Sequence, residues 1–130
     1  MAKYKELILT VGPEHIDFNN HVNNVVYLQW VQMMSKTHWE EEATPEMINN
    51  YMWVITRQEI DYLRELKEGD EVRLYTYIEK SEKQKSYRNV EMYKMPENVL
   101  VAKAQIVWTM LNQANKRPMR IPQEVVELFM

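Results

Sequence analysis

Six polar side chains lie close together between Asp17 and Asn24, directly before an almost wholly apolar run from Val25 to Trp30. They comprise one carboxylate, one imidazole and four amides. If the apolar run is a helix, these side chains lie at its amino end, where backbone N–H groups lack intrahelical partners. A carboxylate beside such donors has the components needed to promote attack on a carbonyl and to stabilise the resulting oxyanion.

The composition limits the kind of protein that carries this cluster. A length of 130 residues predicts one domain covering residues 1–130. Apolar residues make up 45% of the chain and charged residues 27%, the balance of an ordinary globular protein. The formal net charge of −3 gives no electrostatic reason to expect nucleic acid as a partner.

Two rare residue types exclude further classes of site. The chain has no cysteine, which excludes a disulfide framework, a thiol nucleophile and a thiolate metal site. It has only two glycines, Gly12 and Gly69, too few for a phosphate-binding glycine loop. The first residues lack the apolar run of a signal peptide, and no stretch is long and apolar enough to cross a membrane. We therefore expect a cytoplasmic protein with no membrane partner.

The spacing of apolar residues predicts the elements that position the cluster. Asn20 or Asn23 can cap a long helix whose first half is apolar nearly all round, which is typical of a buried helix. Beyond it, apolar and polar residues alternate with a period of two, which is typical of strands. The predicted elements are strands at 6–11, 54–63, 72–79, 87–93 and 99–111, and helices at about 23–41, 45–50 and 123–129.

The order of these elements predicts an α+β fold. Four successive strands joined by short turns are expected to be antiparallel neighbours, with the long helix across one face. This is a five-stranded antiparallel sheet wrapped around one long buried helix, the hotdog fold. Long edge strands would be exposed in a monomer, so a dimer that pairs such edges is expected.

The stretch from Val11 to Trp30, VGPEHIDFNNHVNNVVYLQW, carries a family resemblance. It resembles the segment shared by hotdog thioesterases of the 4-hydroxybenzoyl-CoA thioesterase class and by plant-type acyl-ACP thioesterases. These proteins typically show an Asp, a small loop, His-Val-Asn-Asn and an aliphatic-aromatic helix. Ile60 to Arg64 and Gly69 to Val72 also look like the second strand and following turn of that family.

The resemblance implies an enzyme that hydrolyses acyl-CoA or acyl-ACP thioesters without a metal or other cofactor. It further implies a homodimer, or in several relatives a tetramer, with active sites at the subunit interface. Asp17, Asn19 and His21 match the pattern that is read as catalytic in the plant-type enzymes. Glu65 is the nearest match to a glutamate with an assigned role there, but its spacing from Asp17 is longer than in the plant pattern.

Physical chemistry suggests a role for each part of the cluster. Asp17 would attack the thioester carbonyl directly or deprotonate a water molecule, and the sequence leaves both routes open. Asn19 would orient the water or the carbonyl, and His21 would orient groups or carry a proton. The backbone N–H groups near Val22, Asn23 and Asn24 would stabilise the oxyanion.

Simpler interpretations exist for the same residues. In one of them, Asp17 and the asparagines only form Asx turns and caps, which such residues most often do. His15, Asp17 and His21 have loop-like spacing and no supporting ligand cluster, so a metal site is not expected. His38 is expected to be a surface or packing residue of the helix.

Two further groups of residues have both a functional and a structural interpretation. Four aromatic residues would line an acyl pocket or belong to the core: Tyr27, Trp30, Trp53 and Trp108. Six basic residues would meet the phosphates of coenzyme A or simply be solvated: Lys83, Lys85, Arg88, Lys116, Arg117 and Arg120.

Two other functions fit the predicted fold. One is a non-catalytic module that binds an acyl thioester without turnover. The other is a hotdog dehydratase, which is disfavoured because its His-and-acid pattern differs from the Asp-loop-His-Val-Asn-Asn pattern found here. Acyl length and the choice between CoA and ACP are not specified by any motif.

Overall fold

The computed structural model describes residues 3–130, and their elements follow the predicted order. The strands are β1 (Tyr4–Thr10), β2 (Tyr51–Tyr62), β3 (Glu71–Glu82), β4 (Lys85–Met95) and β5 (Val99–Asn112). The helices are α1 (Asn24–Glu42), α2 (Pro45–Asn50) and α3 (Gln123–Glu127), with a 3-10 turn at Pro13–His15. The hairpin between β3 and β4 is longer than predicted, because the polar residues Lys80, Ser81 and Glu82 still pair with β4.

The five strands form one antiparallel sheet in the order β1-β3-β4-β5-β2. The predicted α+β class and the five-stranded antiparallel sheet are thereby confirmed. One prediction is wrong: β2 and β3 are not neighbours, because β2 pairs with β5 at one edge while β3 lies between β1 and β4.

The link between β2 and β3 is a crossover rather than a tight turn. Its Leu66 side chain is fully buried in the main core. The Leu66 carbonyl accepts a hydrogen bond from the Val22 N–H at 2.9 Å, and the Gly69 N–H donates to the Val11 carbonyl at 2.8 Å. These contacts hold the crossover, residues 63–70, against the loop that precedes α1.

Helix α1 packs on β1, β3 and β4 through one face. The predicted long helix on the sheet is confirmed, but it is not buried all round in the single chain: Val25, for example, is exposed. The buried positions follow the three- and four-residue spacing of one helix face. They are Val26, Tyr27, Trp30, Val31, Met34, Ser35 and His38.

Along each strand, residues that face α1 alternate with residues on the outer face of the sheet, because successive side chains of a pleated strand point to opposite sides. On β5 the small residues Ala102 and Ala104 are buried in this face, with Ile106 and Met110. On β4 the same face carries Ser86, Arg88, Val90 and Met92, all buried. A charged residue therefore lies within the helix-facing side of a central strand.

Candidate active site

The loop before α1 is held in shape by two asparagines. Asn23, one of the two predicted caps, is the N-cap of α1, and its side-chain oxygen accepts the Val25 N–H at 3.0 Å. Asn20, the other, lies in the left-handed region at φ 64°, where asparagine is tolerated better than most residues. Such a cap typically stabilises a helix by about 1 kcal/mol.

Asp17 lies half-buried at the base of this loop. Its N–H donates to the His21 carbonyl at 3.0 Å, and its own carbonyl accepts the Asn20 N–H at 3.1 Å. Its carboxylate oxygen Oδ1 accepts the Asn19 N–H at 2.9 Å, which is the geometry of an Asx turn. Among the residues described, Oδ2 has no hydrogen-bond donor, so this oxygen remains open to another group.

His21 meets Glu65, which the crossover brings into the same cluster. Their side chains are 2.9 Å apart, from Nε2 of His21 to Oε2 of Glu65, and both are accessible to solvent. The Lys67 ammonium lies 3.8 Å from the other Glu65 oxygen. Although Glu65 lies farther from Asp17 in sequence than in the plant-type pattern, its side chain reaches the loop that carries Asp17 and His21. The side chain of Asn19 is exposed at the tip of this loop.

His15 has a structural position in the loop. Its Nδ1 accepts the Gly12 N–H at 3.0 Å, and its ring meets the edge of Trp30 with the centroids 5.4 Å apart. Within residues 3–130, no three His, Asp or Glu side chains are arranged to hold a metal ion.

The three predicted oxyanion donors differ in their availability. The Val22 N–H donates to the Leu66 carbonyl at 2.9 Å, and the Asn23 N–H donates to the His15 carbonyl at 3.0 Å. Both are therefore engaged in holding the loop. The Asn24 N–H, at the first position of α1, has no acceptor in the described part of the chain. Of the three predicted donors, Asn24 is therefore the one whose N–H has no acceptor within residues 3–130, and its role toward an oxyanion stays a prediction.

The predicted aromatic residues separate into two groups along α1. Near the helix start, Tyr27 makes edge contacts with Trp30 at 5.5 Å and with Tyr62 at 5.3 Å between ring centroids. Burial raises the pKa of Tyr27 to about 12, so its phenol stays protonated at neutral pH. Trp53 and Trp108 instead line a cavity at the other end of the helix.

One of the six basic residues considered for phosphate binding is not solvated. Arg88 is only 4% exposed, whereas the other five lie at the surface. Its place on an inward position of β4, between Ser86 and Val90, was visible in the alternation of that strand. His38, predicted to be a surface or packing residue, is a packing residue, since it is fully buried beside Arg88.

None of the helices in residues 3–130 is both long enough and apolar enough to cross a bilayer.

Comparison with known proteins identifies similar sequences. A family model described as the thioesterase-like superfamily matches residues 11–129. The chloroplastic palmitoyl-acyl carrier protein thioesterase of Gossypium hirsutum is 33% identical over 84 residues, which are 64% of this chain and 20% of that protein. The chain therefore spans about a fifth of the length of the curated relatives it matches.

Two solved structures are similar over nearly the whole chain. A 4-hydroxybenzoyl-CoA thioesterase mutant in complex with 4-hydroxybenzoyl-CoA has a TM-score of 0.88 at 13% identity, covering 99% of this chain and 100% of that one. A 1,4-dihydroxy-2-naphthoyl-CoA thioesterase from Synechocystis has a TM-score of 0.81 at 15% identity, covering 93% and 91%. At these identities the likeness shows the fold, and the fold is the hotdog fold.

Proposed function

The chain belongs to the thioesterase-like superfamily, and from this premise we propose that it hydrolyses an acyl thioester of coenzyme A or acyl carrier protein. The observation that carries the proposal is the half-buried Asp17 carboxylate in the loop that leads into α1. One of its oxygens is held by the Asn19 N–H at 2.9 Å, and the loop ends at the Asn24 N–H, which has no acceptor within residues 3–130.

Asp17 would provide the chemistry by one of two routes. As a general base, it takes a proton from water while the water oxygen bonds to the carbonyl carbon. The C–S bond then breaks, and the leaving thiolate takes up the proton. As a nucleophile, its oxygen forms an acyl anhydride and expels the thiolate, and water then hydrolyses the anhydride. Oxygen-18 incorporation into the protein in a single turnover separates the two routes.

Asn24 would stabilise the negative charge that forms on the carbonyl oxygen. Its N–H lies at the positive end of a 19-residue helix, where an anion is favoured. A donor of this kind typically lowers the barrier by about 2.7–4 kcal/mol. The N-cap interaction that spans it, in which the Asn23 side chain accepts the Val25 N–H, would hold that N–H in place.

His21 and Asn19 would orient the reacting groups. If His21 is neutral and donates from Nε2 to Glu65, its Nδ1 is left as an acceptor. We assign Glu65 to positioning of that imidazole, since the exposed pair itself contributes little to stability. The relatives named above act on thioesters of both CoA and acyl carrier protein, so both carriers are proposed here.

We also propose a homodimer, or a pair of dimers, with the sites at the subunit interface. Strand β2, 12 residues long, pairs with β5 on one side, and its other side has no partner strand in the described chain. Four apolar side chains near the end of β2 and around the candidate site are exposed in the single chain. They are Phe18 at 94%, Val25 at 55%, Leu63 at 50% and Tyr62 at 45%.

The replacement Asp17→Asn tests the catalytic role. Asparagine keeps the side-chain oxygen that accepts the Asn19 N–H, so the loop and the fold should persist. We expect kcat/KM for thiol release from acyl-CoA and acyl-ACP substrates of different chain lengths to fall by roughly 10²–10⁴-fold. The matched control is Glu124→Gln, an exposed carboxylate on α3, which should hydrolyse at the wild-type rate. Unchanged hydrolysis by Asp17→Asn would show that the assignment of Asp17 is wrong.

A second candidate is a module that binds an acyl thioester without hydrolysing it. The observation that favours it is the Asx turn of Asp17, in which Oδ1 accepts the Asn19 N–H. This turn gives Asp17 a purely structural role that requires no catalysis. It predicts saturable binding of an acyl-CoA with no thiol released by the wild-type protein. The same substrate panel therefore separates the two candidates.

A further inference from the structure

A cavity of about 350 Å³ lies beside the carboxyl-terminal half of α1, away from the Asp17 loop. Its walls come from α1, from strands β2 to β5 and from Phe129 after α3. Ser35 on its wall is eleven positions beyond Asn24, about 16 Å along the helix axis. The exposed side chains of Gln32, Lys36 and Glu40 follow one stripe of α1 and mark its mouth. The volume is in the range of small-molecule sites.

Arg88 places a buried positive charge in the wall of this cavity. Its Nη1 donates to Thr76 Oγ1 at 3.0 Å and contacts His38 Nδ1 at 2.9 Å. In the described chain, no carboxylate lies within 4 Å of the guanidinium. Burial lowers the pKa of Arg88 to about 10. Burial, and second to it the charge of Arg88, lower the pKa of His38 to about 4. At neutral pH the arginine is therefore charged and the histidine is not, so the charge has no protein counter-ion.

Two more donors near this charge lack acceptors. Trp108, which also lines the cavity, has a buried indole N–H with no hydrogen-bond partner in residues 3–130. Nε2 of His38 is likewise buried without a partner. Trp108 lies opposite Ser86 in the sheet and Arg88 opposite Ile106, so the indole and the guanidinium are diagonal neighbours on one face. Buried donors without acceptors are costly and rare in folded proteins.

The rest of the cavity wall is largely aromatic. Trp39 meets the edge of Trp53 at 5.7 Å between ring centroids and stacks on Phe129 at 6.3 Å. Tyr51 and Ile78 extend this apolar surface. A ligand that fits must combine an apolar body with an anionic group that accepts hydrogen bonds.

We propose that this cavity binds an amphipathic carboxylate, with the carboxylate on Arg88 and an alkyl or aryl body against Trp39, Trp53 and Phe129. A planar carboxylate matches the two-pronged geometry of a guanidinium. It would supply the missing counter-ion and an acceptor beside Trp108. The ligand is either a free carboxylic acid or an acyl group that carries a second, distal carboxylate. This site is additional to the proposed hydrolysis at Asp17 and does not depend on it.

Intrinsic fluorescence gives a direct test, because three of the four tryptophans line the cavity. We expect octanoate to change the emission in a saturable way and to bind at least tenfold more tightly than 1-octanol. Arg88→Gln removes the positive charge and shortens the side chain, and it should weaken octanoate at least tenfold. Arg64→Gln replaces an exposed arginine of the crossover that follows β2; it is the matched control and should bind as the wild type.

Trp108→Phe keeps an aromatic ring in the wall, although a smaller one, and removes the N–H, and it should weaken octanoate severalfold more than it weakens 1-octanol. If circular dichroism shows that Arg88→Gln does not fold, the test of a carboxylate site relies on Trp108→Phe and on the comparison of octanoate with 1-octanol in the wild-type protein. Equal affinity for octanoate and 1-octanol, or no saturable change with either, overturns the proposal. Titration with hexadecanoyl-CoA and with the CoA thioester of hexadecanedioic acid, whose chain is long enough to run from Asp17 to Arg88, then identifies the source of the carboxylate, with Asp17→Asn used to avoid turnover. Tighter binding of the hexadecanedioyl thioester than of hexadecanoyl-CoA indicates a distal carboxylate, and equal binding of the two thioesters beside saturable binding of octanoate indicates a free acid.

Discussion

At the scale of single residues, His38 shows how burial changes the chemistry of a side chain. It is 1% exposed, its ring meets Phe129 edge-on, and its Nδ1 contacts Arg88. Burial first, and the charge of Arg88 second, lower its pKa from 6.5 to about 4, against smaller opposing contributions from Glu42 and Glu41. The histidine is consequently neutral in the folded protein over the whole physiological range.

This shift predicts a pH dependence of stability. Between pH 6.5 and about 4 the unfolded chain binds a proton at His38 that the folded chain does not, so unfolding becomes more favourable as the pH falls. Above pH 6.5 His38 causes no loss of unfolding free energy, and near pH 4 the loss due to His38 is on the order of 3 kcal/mol. Urea unfolding of the wild type and of His38→Gln across this range measures it.

The glutamine variant serves as the reference because all other titrating groups are common to both proteins. We expect the wild type to lose more unfolding free energy than His38→Gln from pH 7 to pH 4. Parallel pH profiles for the two proteins would contradict a buried neutral histidine.

The sequence predicts contacts between residues that are close along the chain better than contacts between distant ones. Asp17, Asn19, Asn23 and Asn24 belong to one short segment, so their relation to the helix start could be predicted from local rules. Glu65 could not be placed with His21, because their contact depends on the path of the crossover. Arg88 occupies an inward position in the alternation of β4, but neither interpretation of the basic residues anticipated its burial, because charged residues are rarely buried without a counter-ion.

At the scale of elements, the crossover at 63–70 connects the site to the sheet. It carries Glu65 to His21, buries Leu66 and closes with a turn in which the Lys67 N–H donates to Asp70 Oδ2 at 2.9 Å. Gly69 in this turn has φ 91°, a conformation that residues with a Cβ rarely adopt.

We expect Gly69→Ala to lower the free energy of unfolding by about 1–2 kcal/mol. The loss is conformational, because an added Cβ at this position meets no other atom within 4 Å. Gly69→Asn is the matched comparison and should lose less, since asparagine tolerates positive φ better. Denaturation by urea measures both, and equal losses for alanine and asparagine would indicate that backbone conformation is not the cause.

The elements themselves were largely predictable, and their arrangement less so. The first residues of α1 and α2 follow from their N-caps, Asn23 and Thr44. The neighbours of β2 did not follow from its sequence, because alternation describes the two faces of a strand and not the strand beside it.

At the scale of the whole molecule, the edge at β2 predicts association. We expect sedimentation equilibrium at micromolar concentration to give at least twice the 15.8 kDa mass of the chain. Leu63→Lys places a charge beside the end of this edge and should shift the protein toward the monomer, with loss of hydrolysis if the site is shared.

The control for this prediction is Ile48→Lys on α2, which also replaces an exposed apolar residue, 40% exposed in the single chain. It should leave the mass unchanged. A wild-type protein that sediments as a monomer would contradict the proposed dimer without bearing on the role of Asp17.

The strand order also has a consequence for the synthesis of this chain on the ribosome. Strand β2 is complete at Tyr62, but its partner β5 ends at Asn112 and is made last among the strands. At about 5–20 residues per second, the two events are separated by roughly 3–10 s. Trp53 and Ile55 of β2 lack their pairing partners through nearly all of that interval, because these partners, Met110 and Trp108, lie near the end of β5. A nascent chain must therefore keep this part of β2 from premature association until translation has nearly completed β5.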